Sequence, residues 1–135
     1  MALQYSTAVR DAELDALEAA IGTAPLLRIY SGSMPANCAT AATGTLLAEM
    51  TLPSDWLTTA TSGSKAKNGT WQDSSANAAG TGGYFRIYDS AGSACHIQGT
   101  VAATGGGGDL TLDNTNIAAA QNVTINTFSI TAANA

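Results

Sequence analysis

The chain has 135 residues, enough for one domain that buries roughly two-thirds of its unfolded surface. Only 11% of the residues are charged, against about a quarter in an average soluble domain, and Ala, Thr, Ser, Gly and Asn fill the gap. The net charge of −5 comes from ten acids and five bases, and Lys65 and Lys67 are the only local basic pair, which excludes a phosphate-neutralising nucleic-acid surface.

No stretch approaches the ~20 apolar residues of a membrane helix, so no membrane partner is expected. Met1 to Tyr5 lack the basic, apolar and cleavage regions of a signal peptide, which predicts a protein made in a cytosol and not exported by the usual route. Two cysteines, Cys38 and Cys95, are too few for a disulfide framework or a zinc site.

Residues 7–21 are predicted as the one helix. Ser6 or Thr7 caps it, and the acids at 11, 13, 15 and 18 favour its N-terminal half. Arg10, Leu14, Leu17 and Ile21 recur at 4-3-4 spacing as a narrow stripe, Gly22 ends the helix and Pro25 prevents it from resuming. Two readings are open: a helix docked on the domain surface, or an arm that contacts a neighbouring subunit. The chain accordingly divides into an arm and helix over 1–22 and a β-domain over 23–135.

From Leu26 onward the pattern is β. Strands are predicted over Leu26–Tyr30, Thr45–Leu52, Thr70–Gln72, Tyr84–Tyr88 and Cys95–Val101, with loops over 61–69 and 77–83. Gly105–Gly108 reads as a flexible connection. The segments Asp109–Ile117 and Gln121–Thr131 alternate at a period of two and read as a pair of strands joined by an Ala-rich turn. Seven or eight short strands with Gly-rich turns predict an all-β, jelly-roll-like antiparallel β-sandwich with one N-terminal helix.

One internal echo stands out: Leu27-Arg28-Ile29-Tyr30-Ser31 resembles Phe85-Arg86-Ile87-Tyr88-Asp89, and each is followed by a Cys within ten residues. Either two strands in similar environments converged, or they lie near each other and bring Cys38 and Cys95 within bonding range as a candidate disulfide.

Catalytic chemistry is not expected. His96, the only histidine, is adjacent to Cys95 on a strand, so the two side chains point to opposite faces. Asp89, Asp109 and Asp113 lack calcium-loop spacing and read as turn formers. Gly105–Gly108 lacks the Lys-Ser/Thr ending of a phosphate loop. No cofactor or metal site is expected. Trp56 and Trp71 read as core or interface anchors, with sugar stacking as the competing role.

Both ends of the chain resemble a family of small tailed-bacteriophage virion proteins. Met1 to Arg10 fit its Met-Ala-Leu-x-Tyr-x-x-Ala-x-Arg opening, and Leu112 to Thr131 fit its Leu-x-x-Thr-x-Ile-x-x-x-Gln-x-Val-x-Ile-x-x-x-x-Ile-Thr ending. The chain departs from the pattern at Ala120, where Gly precedes the Gln. The resemblance implies a virion component, foremost a capsid decoration or cement protein made in the host bacterial cytoplasm. Its partners would be the major capsid protein and copies of itself, as a dimer or trimer. The alternative within that family is a tail, neck or fibre component that contacts the host surface and a glycan. Candidate interface residues are Leu3, Tyr5, Arg10, Leu14, Leu17, Trp56 and Trp71, with loops 61–69 and 77–83 as further contact elements.

Overall fold

The structure, a computed structural model, describes residues 3–132. The outermost residues of the two predicted regions, 1–2 and 133–135, lie outside the described residues. The chain is mostly β with a single helix, α1, over Thr7–Ile21. Ser6 caps α1 by accepting a hydrogen bond from Val9 N at 3.3 Å, and the Gly22 amide closes the other end on Glu18 O at 3.0 Å.

The main sheet is curled and runs in the order β2 (Leu46–Thr51), β1 (Leu26–Ser31), β5 (Gly80–Tyr88), β6 (Cys95–Ala103), β7 (Leu110–Leu112), with β8 (Asn116–Ile117) paired to the start of β5. Two small two-stranded sheets accompany it: β3 (Ser64–Ala66) with β10 (Ser129–Thr131), and β4 (Trp71–Asp73) with β9 (Val123–Ile125).

Alternation along β1 and β5 makes two different faces. Leu27, Ile29, Phe85 and Ile87 point into the core, where they meet Trp56, Trp71, Ile125 and Phe128. Phe128 joins the layers, with its ring edge-on to Phe85 at 5.7 Å and tilted against Trp71 at 5.4 Å. Tyr30, Tyr84, Arg86 and Tyr88 project on the opposite face.

Three expectations need correction. The C-terminal segments are not one strand pair, because β7, β8, β9 and β10 each bond to a different earlier strand. Alternation fixes which residues share a face, but not which strand is the partner. Second, the sheet is not wholly antiparallel: β6 and β7 run parallel, with Val101 opposite Leu110. The connection that permits this is the glycine run, ordered as a tight loop in which Gly105 and Gly107 take φ of 85° and 79°. Asp109 fastens its far end by accepting from Thr100 N at 2.9 Å. Third, residues 61–69 and 77–83 are not free loops. The first contains β3, and the second runs into β5 after Asn77 N donates to Leu47 O at 2.8 Å.

Candidate functional site

The helix is anchored to the β-body along its stripe. Leu14 and Ile21 are buried and Leu17 packs against the core. Arg10, at the head of the stripe, donates from Nε and Nη2 to Ala132 O at 3.1 and 2.9 Å. Asp11 accepts from Gly63 N at 2.7 Å. Lys65, only 4% exposed, pairs with Asp15 at 2.8 Å and also with Glu18. Burial opposes the Lys65 charge, but the hydrogen bonds to the two carboxylates outweigh it and raise its pKa above the ordinary value.

Ahead of this anchored stripe three large hydrophobic side chains are exposed. Leu3 is 75% exposed, and Tyr5 and Val9 are exposed as well. Met34 is the other large hydrophobic residue on the surface of the described chain. Leu14, Trp56 and Trp71 are not surface residues. Both tryptophans are fully buried, their indole N–H groups donating to Gly22 O and Asn68 O, each at 3.1 Å. Neither ring offers a face to a partner or a sugar in this fold. Of the residues anticipated at an interface, Leu3 and Tyr5 remain at the surface, Arg10 and Leu17 are half-buried in the helix seat, and the rest lie inside.

The echo of Leu27–Ser31 in Phe85–Asp89 is a spatial pairing. β1 and β5 are antiparallel neighbours, and Arg28 stands opposite Arg86. Tyr30 stacks on Tyr84 with ring centroids 5.1 Å apart, and the Tyr30 and Tyr88 hydroxyls are 3.4 Å apart. The Arg28 guanidinium lies 4.6 Å from the centre of the Tyr88 ring and pairs with Glu49. Burial, followed by the Tyr88 hydroxyl, pushes the Tyr30 phenol up to about 12.

The connection from Gly32 to Thr45 folds over this face. Tyr84 Oη donates to Thr43 O at 2.6 Å and accepts from Thr43 N at 3.0 Å. Arg86 Nη2 donates to Asn37 O at 3.2 Å and Thr40 O at 2.7 Å, and Gln98 Nε2 donates to Pro35 O at 2.8 Å. Gln98 Oε1 also accepts from Arg86 Nε at 3.2 Å. Within this cover, Cys38 Sγ comes to 2.7 Å from Cys95 Sγ. Both are free thiols and both are half-buried. His96 points the other way and is exposed.

The aspartates noted in the sequence all serve turns or neighbouring strands. Asp89 Oδ1 accepts from Ser93 N at 2.9 Å, Asp109 holds Thr100, and Asp113 Oδ2 accepts from Asn126 Nδ2 at 3.3 Å. An open groove of about 550 Å³ runs between Lys67, Asp109, Asn126 and Ser129 over Phe128. Its charged groups are already engaged, Lys67 with Gly69 O at 2.7 Å and Asp109 with Thr100. No helix among the described residues is long and apolar enough to cross a membrane.

Sequence reasoning missed the buried Lys65, which it placed in a polar loop, and Arg86 as the anchor of the 32–45 cover. The duplicated Arg-Ile-Tyr was the available signal for the second. Comparison with family models, curated proteins and solved structures returned no match to this chain.

Proposed function

We propose that this chain is a structural protein of a tailed-bacteriophage virion, a capsid decoration or cement protein seated on the outer shell. The body is proposed as a jelly-roll-like sandwich in which the main sheet and the two small sheets close over one core. The observation that carries the reading is the contrast along the N-terminal segment, residues 3–21. Its inner side is clamped to the body through Leu14, Ile21 and the Lys65 ion pairs, while Leu3, Tyr5 and Val9 leave apolar surface open at its start.

A short apolar lead on a rigid mount is suited to filling a cleft between adjacent major capsid subunits. Burying one aliphatic side chain there contributes about 1.5–3 kcal/mol, and each copy raises the cost of separating the subunits it bridges. A surface with few long charged side chains lets the body approach a neighbour closely, whether capsid or a second copy. The resemblance at Met1–Arg10 and Leu112–Thr131 supports the same reading.

The test is co-sedimentation of the purified chain with capsids of the phage that encodes it. The double variant Leu3→Ser, Val9→Ser should melt like the parent and bind the shell at least tenfold more weakly. Equal binding by this variant would refute the N-terminal docking mode. A second reading, a tail, neck or fibre component that meets a host glycan, draws on the polar groove over Phe128. It no longer draws on Trp56 or Trp71, which are buried.

A further inference from the structure

We infer that Cys38 and Cys95 are the two halves of a redox clasp, a disulfide that forms within one chain and fastens the 32–45 connection onto the arginine–tyrosine face. The inference is independent of the virion reading.

Three observations converge on it. The thiols come from separate elements, the β1–β2 connection and the first residue of β6, 57 positions apart in sequence, yet their sulfurs are 2.7 Å apart. Their approach does not depend on the thiols themselves. Arg86 holds the backbone on either side of Cys38 through Asn37 O and Thr40 O, and Gln98 holds Pro35 O. Cys95 is fixed by the β5–β6 ladder, opposite Tyr88. The rigid frame therefore presents the pair already aligned, which removes most of the entropy of bringing two cysteines together. Finally, both residues are only partly buried, within reach of a small-molecule oxidant.

The chemistry is thiol–disulfide exchange with a small-molecule disulfide such as oxidised glutathione. One thiolate of the pair attacks one sulfur of the oxidant, forming a mixed disulfide and expelling one glutathione thiolate. The other thiol then gives its proton to solvent and attacks the protein sulfur of the mixed disulfide, expelling the second glutathione. Two protein thiols are oxidised and one disulfide is reduced to two thiols. Burial, then the hydrogen bond with Cys38, push the Cys95 thiol up to about 12, which slows the exchange near neutral pH without preventing it. In a reducing cytosol the clasp is open; in an oxidising medium it closes.

The full chain, reduced and then equilibrated in glutathione buffers of graded redox poise, provides the test. Free-thiol counting and peptide mapping without reductant should show both thiols lost together, a link between the Cys38 and Cys95 peptides, and no dimer. The melting temperature of the parent should rise by roughly 10 °C on oxidation. Cys38→Ser and Cys95→Ser should show no such rise. Persistent free thiols in the most oxidising buffer would overturn the inference, as would stable glutathione adducts on each cysteine or a covalent dimer. The mapping on the parent needs no substitution, so the result stands even if a serine variant folds poorly.

Discussion

Arg28 and Arg86 stand directly opposite each other across the β1–β5 ladder, on one face of the sheet, and each holds its charge differently. Like charges in that position repel. The Arg28 charge is paired with Glu49 and the Tyr88 ring, whereas Arg86, only 2% exposed, is solvated by carbonyls of the 32–45 connection and by Gln98. The sheet face and its cover are thus one polar network, and Arg86 is its centre.

Replacing Arg86 should therefore unfasten the cover as well as destabilise the sheet. Arg86→Ala leaves Asn37 O, Thr40 O and Gln98 Oε1 without their donor and should cost about 2–4 kcal/mol in denaturant unfolding. Arg86→Lys keeps the charge but loses the planar fork, and should recover only part of that loss. Hydrogen exchange over residues 35–43 should accelerate in both variants.

The helix seat has a comparable dependence. In the double variant Asp15→Asn, Glu18→Gln the helix still covers Lys65 but both carboxylate charges are gone, leaving a buried ammonium without its counter-charges. This variant should be less stable by about 3–5 kcal/mol, and adding Lys65→Met should restore part of it. A double variant as stable as the parent in urea would show that the ion pairs contribute nothing to the helix seat.

Stability should fall on the alkaline side. The folded Tyr30 phenol titrates near 12 instead of about 10, so the fold favours its neutral form: the contribution is complete below pH ~10 and disappears as pH rises to about 12. The raised Lys65 pKa acts in the same direction, present below its ordinary value of 10.5 and lost above it. Together they should lower the unfolding free energy across this window, read from melting temperature against pH. In Tyr30→Phe the Tyr30 share of that slope should vanish.

Ala120 offers a stabilising change. It occupies a left-handed conformation with φ of 65°. An L side chain there costs about 1 kcal/mol, so Ala120→Gly should gain up to ~1 kcal/mol in equilibrium unfolding.

How much of this was legible in the sequence depends on whether a feature is local. The helix over 7–21 was legible because Ser6, Gly22 and Pro25 are local signals. The faces of β1 and β5 were legible because Arg28 and Tyr30 alternate with Leu27 and Ile29. Lys65 was not, since its burial depends on two carboxylates supplied from the helix, 50 and 47 residues away. Gly80–Gly83 look like a loop because glycine carries no alternation, yet they begin β5, one of two nine-residue strands at the centre of the sheet. The glycine run at 105–108 gave its conformational freedom away, but the parallel pairing it permits is a property of Val101 and Leu110 meeting in space. For the candidate site, the duplicated Arg-Ile-Tyr pointed to the right strands. Trp56 and Trp71 read as core or interface anchors, and only the fold decides for the core, because aromatic side chains serve cores and interfaces equally well.

The proposed shell role is tested most directly by the copy number of this chain in purified particles relative to the major capsid protein, by quantitative mass spectrometry. A cement protein should be present at a ratio near one per capsid subunit or a simple fraction of it. A dozen copies or fewer would contradict the shell assignment and place the protein at the tail or neck; its absence from particles would contradict the virion assignment altogether.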